Sequence, residues 1–285
     1  MTPNKALIVL SVLFLFSCGS NQKQENGQQE LDGTVRIKGS ESELPLVLKL
    51  VDYFKNHTDT TIQFNVSGGG SNIGISLLEK EQVDIAMSSR KLRDEERRYL
   101  AEKNIELGEI IVAYDALFII VNKDNPLNKI TTEQLQSIYT GKIKNWKELG
   151  GADVPIISCS RRASSGTKSF FESIVLSGKK ADASVREFDN YGSLLEIVKK
   201  DKGAIGFNSL GYINDEVKYL NISLDNGKTF FNVQQAQNLT KENYPLVRPL
   251  YIIYKKASEK NFKPFIDFIQ SDSAKSVIKS AGFLL

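Results

Sequence analysis

Apolar positions along this chain switch repeatedly between two periods. "TVRIKG" (34–39) alternates as a half-buried strand does and stops at a glycine. Directly after it Val47, Leu50, Val51 and Phe54 recur at helical spacing, with Pro45 placed as an early helical residue. "TIQFNV" (61–66) and "VDIAM" (83–87) are the next strands, each followed by a Ser/Gly-rich turn. "EIIVAYDALFIIVN" (109–122) is β-rich and longer than a usual strand, with Asp115 in its middle, and reads as a segment crossing from one lobe to another. The second half repeats the grammar. "TTEQLQSIY" opens with a capping-box spacing, Thr131 to Gln134, and "SLLEIVKK" with another, Ser193 to Glu196. "VPIISC" and "GAIGF" (203–207) read as strands, "YPLVRPLYIIYKK" (244–256) as a second crossing segment, and "KNFKPFIDFIQSDSAKSVIKSAG" as a closing amphipathic helical region ended by Gly282. Strands alternating with helices predict an α/β fold with mainly parallel sheets covered on both faces.

The first residues break this pattern. Lys5 precedes an apolar run from Ala6 to Phe16, too short for a permanent bilayer span but suited to a secretion signal. Leu15-Phe16-Ser17-Cys18 resembles a bacterial lipobox, which predicts a signal over 1–17 and a lipidated Cys18; a plain signal with an incidental cysteine is the alternative. Such a lipid would anchor the chain to a membrane outside the cytoplasm, each buried CH₂ contributing about 0.8 kcal/mol. Residues 18–32 lack a large apolar side chain until Leu31 and read as a flexible tether. With Cys18 committed to lipid, Cys159 stands alone, no intramolecular disulfide is available, and its apolar setting marks it as a small buried hydrophobe.

Composition narrows the chemistry. A formal net charge of +3 over 285 residues, dispersed as in "RDEERR" (93–98), argues against a nucleic-acid footprint. The single histidine, His57, falls at the end of the first helix and reads as solvated, so no Ser-His pair forms near any serine-rich loop. One histidine and one thiol cannot make a tetrahedral metal site, and no cofactor motif is present: Thr167 separates Gly166 from Lys168 where a phosphate-binding P-loop needs Gly-Lys, and Ile73 stands where a dinucleotide fingerprint needs glycine. What remains is a set of donors. "KGSESE", "SGGGSN", "MSSRK" and "SRRASSGT" each follow a strand and precede a helix, the edge at which open α/β sheets bind ligands. Converging, they would line one pocket with N–H and O–H groups; "SRRASSGTKSFF" (160–171) taken alone fits either an ordinary N-cap or an anion site.

These phrases, with "VAYDALFIIVN", "IYTGKIKNWKELGG", "GAIGFNSLGY" and "YPLVRPLYIIY", occur in the order found in phosphate-binding proteins that feed ABC-type phosphate importers, and the chain resembles that family from Gly33 to Leu285. The resemblance implies a two-lobed, type II periplasmic-binding-protein fold with two hinge-crossing segments. Lobe 1 would comprise 33–115 plus 250–285 and lobe 2 residues 116–249. It also implies an extracytoplasmic, monomeric, non-enzymatic receptor that binds inorganic phosphate, needs no cofactor, and hands its ligand to membrane permease subunits. Carried over by residue, the phosphate ligands would be Ser40 and Ser42 after the first strand, Ser71 from the glycine loop, Ser89 with Arg90 after the third strand, Arg161 as the charged fork, and Ser165, Gly166 and Thr167 at a helix start. Arg162 is read as a rim charge, and Trp146 with its neighbours as a structural turn between lobes.

The match departs from the family at two acids. Many relatives carry one at the position of Ser89 and another at that of Ala163, where a carboxylate can accept the proton phosphate retains near neutral pH and repel sulfate. Glu41, inside the first loop, is the expected replacement, with Asp115 as a second acceptor; a helix-stabilising first-turn acid is the other reading of Glu41. The alternatives at the level of function are a receptor for another tetrahedral oxyanion, sulfate or arsenate, and a phosphate-sensing lipoprotein without transport.

Overall fold

The computed structural model describes residues 33–58, 61–231, 239, 244 and 246–285. The signal expected over 1–17, Cys18 and the tether over 18–32 lie outside the described residues.

Strand β1 (Thr34–Gly39) buries Val35 and Ile37 on alternate positions, as its period requires. It pairs in parallel with β2 (Gln63–Ser67) on one side and β3 (Ile85–Ser88) on the other. Helix α1 (Leu44–His57) covers them with Leu46, Val47, Leu50, Val51 and Phe54, the face expected from the spacing. His57 ends that helix exposed, its Nδ1 2.9 Å from the Tyr53 carbonyl.

Two long strands run through the middle of the sheet. The first, β4 (Leu107–Val121), has fifteen residues. Its first part pairs antiparallel with β10 (Val247–Lys255), which in turn pairs antiparallel with β3. Its second part pairs antiparallel with β8 (Ala204–Ser209) and β9 (Lys218–Ser223). Beyond β8, strand β6 (Ile157–Arg161) runs parallel to both β8 and β7 (Arg186–Phe188), and β5 (Lys129–Thr131) runs parallel to β9. The outer pairs are thus parallel, while each of the two central strands is antiparallel to its neighbours, so the sheet is mixed. This antiparallel centre lets one continuous strand serve two strand groups. Residues 33–285 form one compact unit.

Most local signals place their elements correctly, and the exceptions have identifiable causes. Thr131 caps α4 (Thr132–Tyr139) with the reciprocal Thr131–Gln134 bonds of a capping box. Ser193 does not cap α6 (Tyr191–Lys200): Asn190 does, its Oδ1 accepting from Ser193 N, because an asparagine three residues earlier offers the same geometry. The closing region is two helices, α7 (Lys263–Ile269) and α8 (Asp272–Ser280), separated where Ser271 caps the second. Trp146 is not a turn between strand groups. It is buried within the second group, its indole N–H donating to the Gly203 carbonyl at 3.0 Å beside the start of β8. Cys159 is buried in β6, and burial pushes its thiol up to about 12.

Candidate functional site

The four serine-rich turns lie at the carboxyl ends of β1, β2, β3 and β6, and backbone constraints bring them together. Gly39 has φ +147° and leans on β3 so closely that a Cβ would strike the Met87 carbonyl; Ser40 N then donates to that same carbonyl at 2.9 Å. In the next turn Gly70 has φ +104°, donates its N–H to the Gly39 carbonyl at 2.7 Å, and leaves no room for a side chain against Ser164. Helix α2 (Ser71–Glu79) starts there, and Asn72 ties it across to the β6 turn, its N donating to Ser164 O at 3.1 Å and its Nδ2 to Ala163 O at 2.7 Å.

The side chains within this frame are buried and polar. Ser40 Oγ lies 2.9 Å from Ser42 Oγ, and Ser71 Oγ lies 3.2 Å from Ser89 Oγ while accepting from Ser89 N at 3.1 Å. Gly166, at the start of α5 (Gly166–Phe171), presses against that second pair, since a Cβ there would sit 2.7 Å from Ser89 Oγ and closer still to Ser71 Oγ. Thr167 Oγ1 receives hydrogen bonds from Tyr191 Oη at 2.9 Å and Arg248 Nη2 at 2.8 Å; the same Nη2 donates to Ser42 Oγ at 3.0 Å. Ser40, Ser42, Ser71, Ser89, Gly166 and Thr167 therefore form one connected polar cluster drawn from both strand groups.

Three other expected ligands have different employment. Ser165 spends its hydroxyl as the N-cap of α5, accepting from Thr167 N and Lys168 N. Arg90 commits its guanidinium to Glu96 of α3 (Asp94–Glu102) at 2.7 Å, to Asn72 Oδ1 and to the Lys91 carbonyl, which braces the α2 start rather than facing the cluster. Glu41 is half-buried and its Oε1 accepts from Gly69 N at 2.6 Å, a contact that a Cβ at Gly68 would obstruct. It holds the glycine turn in place. Asp115, the other expected proton acceptor, accepts from Arg248 at 2.8 Å, Ser209 Oγ at 2.9 Å and Leu210 N at 3.0 Å. Its lone pairs are taken. Arg162 is exposed and pairs with Asp189 at 2.9 Å.

Arg161 fits the expected fork differently from a free guanidinium. Its Nε and Nη2 donate to the carbonyls of Phe188 and Asp189, and its plane lies 4.5 Å over the Tyr191 ring. Its Nη1 is buried and finds no hydrogen-bond partner within the protein, and the same holds for Arg248 Nη1. The sheet thus presents two fully buried cations, of which only Arg248 has a carboxylate directly bonded to it.

Arg248, Glu43 and Tyr191 escape a reading of the sequence by loops. Arg248 lies inside the apolar strand β10 and sits opposite Asp115 in the β4 register, so its signal was a charge interrupting an apolar run. Glu43, the residue before α1, is buried with both carboxyl oxygens lacking a partner, and burial holds it well above the usual carboxylate range against the pull of Arg248. Among the described residues no cluster of three or more His, Cys, Asp or Glu could hold a metal ion, and no helix is long and apolar enough to cross a membrane.

A family model described as "PBP superfamily domain" matches residues 24–273. The phosphate-binding protein PstS of Staphylococcus epidermidis (strain ATCC 12228) is 32% identical over 284 residues, covering 95% of this chain and 85% of the relative. Its counterpart in Staphylococcus aureus (strain USA300) is 30% identical, covering 96% and 84%. Among solved structures, a phosphate ABC transporter substrate-binding protein from Clostridium perfringens with bound phosphate superposes with a TM-score of 0.76 at 31% identity, covering 88% of this chain and 98% of that one. An ABC-type phosphate transport receptor from Vibrio cholerae gives 0.68 at 33%, covering 88% and 99%.

Proposed function

This chain belongs to the phosphate-binding-protein family of the PBP superfamily, and on that premise we propose that it is an extracytoplasmic receptor that binds inorganic phosphate and delivers it to an ABC importer. The observation that carries the reading is the polar cluster itself: buried hydroxyls from Ser40, Ser42, Ser71 and Ser89 meet Gly166 and Thr167 from the other strand group, beside two buried guanidiniums. Guanidinium forks match phosphate oxygens, hydroxyls fill the remaining lone pairs, and the N–H groups at a helix start add a partial positive charge. Arg161 and Arg248 supply the charge, and Arg90 and Glu41 shape the walls.

In this reading residues 33–115 with 250–285 form one lobe and 116–249 the other, joined by β4 and β10, and they close on the anion by hinge motion. The signal over 1–17 and lipid on Cys18 tether a monomer to the membrane beside its permease. The Ser89 and Ala163 positions, without acids, support a second oxyanion as the competing ligand. Calorimetric titration of residues 19–285 with phosphate, sulfate and arsenate at two pH values separates these. Saturable heat at one site with phosphate preferred supports the reading; preference for sulfate replaces the ligand, and no heat with any of them removes the receptor assignment.

A further inference from the structure

Glu43 has no task in the account above. It precedes α1 by one residue, is fully buried, and neither carboxyl oxygen has a hydrogen-bond partner. A charged carboxylate in that state would be strongly disfavoured, so its position demands an explanation. Glu43 follows Ser42, whose hydroxyl accepts from Arg248 Nη2 at 3.0 Å, and the charges acting on it are Arg248 on β10, which favours ionisation, and Asp115 on β4, which opposes it. From the turn that packs against Pro45 and the Ser42 carbonyl, the titratable group is Tyr212, whose hydroxyl donates to the Glu41 carbonyl at 3.0 Å. Tyr191, donating to Thr167 Oγ1, lies under the influence of the same Arg248 and Asp115.

Arg248 is the link between this acid and the anion cluster. Its Nη2 bonds Ser42 Oγ and Thr167 Oγ1, its Nε and Nη2 bond Asp115, and its Nη1 has no partner within the protein. We infer that Glu43 is a positioning residue whose carboxyl group acts through Arg248 and makes oxyanion binding proton-linked. The inference rests on the anion-receptor reading of the same site. The charge count shows why. Arg161 and Arg248 bring two positive charges and Asp115 one negative, so a neutral Glu43 leaves the cluster net positive, whereas an ionised Glu43 would cancel that excess and compete for Arg248. Because Glu43 adjoins Ser42 of the cluster, a dianion bound there disfavours its ionisation further, and by reciprocity a protonated Glu43 favours the dianion.

The sign follows. Below the raised titration point of the free protein Glu43 is neutral with or without ligand, and affinity is unaffected by it. Above that point the free protein ionises, binding takes up one proton from solvent, and affinity falls as pH rises by at most about tenfold per pH unit. Glu43→Gln keeps the shape of the neutral acid and removes the proton. Phosphate affinity measured by calorimetry from acid to alkaline pH, as the ratio of wild-type to Glu43→Gln Kd, cancels the ionisation of phosphate itself. The expected ratio is flat at low pH and climbs at high pH, with more proton uptake by the wild type in buffers of differing ionisation enthalpy. A ratio independent of pH overturns the inference while leaving the receptor reading intact. Absence of phosphate binding by the wild type at every pH overturns the receptor reading, and this inference with it. Infrared spectra of the unsubstituted protein carrying carboxyl-labelled glutamate need no folded variant: a protonated glutamate band that persists to higher pH with phosphate is expected, and ionisation of every glutamate at the same pH with and without phosphate contradicts the proposal.

Discussion

Gly166→Ala puts a methyl group where the two strand groups meet. The new Cβ would lie 2.7 Å from Ser89 Oγ, 3.0 Å from Ser71 Cβ and nearer still to Ser71 Oγ, well inside the 3.4 Å at which ordinary contact begins. Neither serine can step aside by rotating alone, because both are buried and Ser71 Oγ also accepts from Ser89 N. Relief therefore requires the α5 start to withdraw from β2 and β3 ends, which opens the cluster. Overpacking of this kind costs about 1–3 kcal/mol. If the cost falls on the closed, anion-bound arrangement, it appears as a loss of phosphate affinity of roughly five- to 150-fold. The assay is calorimetric titration together with thermal unfolding of the ligand-free protein. Gly192→Ala is the control, since its Cβ meets only Asn190 Oδ1 at 3.4 Å within α6. Affinity within twofold of wild type would refute the reasoning, as would a loss of ligand-free stability large enough to account for the whole effect.

Arg248→Met strands Asp115 as an unpaired buried charge and should lower unfolding free energy in urea by about 3–5 kcal/mol, with the double variant Arg248→Met, Asp115→Leu recovering most of it. Equal destabilisation in both variants would show that the pair is not the cause. Glu41→Gln retains an oxygen for the Gly69 N–H, so the ratio of phosphate to sulfate affinity should stay within about twofold of wild type; a large fall would return Glu41 to the role of proton acceptor. Because burial pushes the Cys159 thiol up to about 12, the nucleophilic thiolate is scarce at every pH below that value, and iodoacetamide at mildly alkaline pH should label Cys159 in urea but not in the native protein.

The parts of this molecule governed by short-range chemistry were legible in the sequence. β1 ends at Gly39 as its alternation indicated, α1 buries the four residues its spacing picked out, and Thr131 forms its capping box with Gln134. The serine turns were legible because a strand-end position and a polar composition are both local properties. What the sequence concealed depends on contacts between distant residues. Arg248 and Asp115 are 133 positions apart, and only the β4–β10 register puts them opposite each other. Glu43 carried no signal in the sequence, because its complete burial ahead of α1 and the nearness of Arg248 and Asp115 arise only in the folded chain. Arg90 could not be separated from Arg161 by composition, because what distinguishes them is Glu96 at 2.7 Å from one and backbone carbonyls beside the other. The antiparallel pairing at the sheet centre was hidden for a similar reason: a long apolar run does not reveal the direction of its neighbours.

The central claim is that turns from both strand groups enclose one oxyanion between buried hydroxyls and guanidiniums. A crystal structure grown with phosphate tests it most directly. The account predicts a single phosphate within hydrogen-bond distance of Ser40, Ser71 and Ser89 on one side and of Arg161 and Thr167 on the other. Phosphate seated elsewhere, or touching residues of only one strand group, would contradict it.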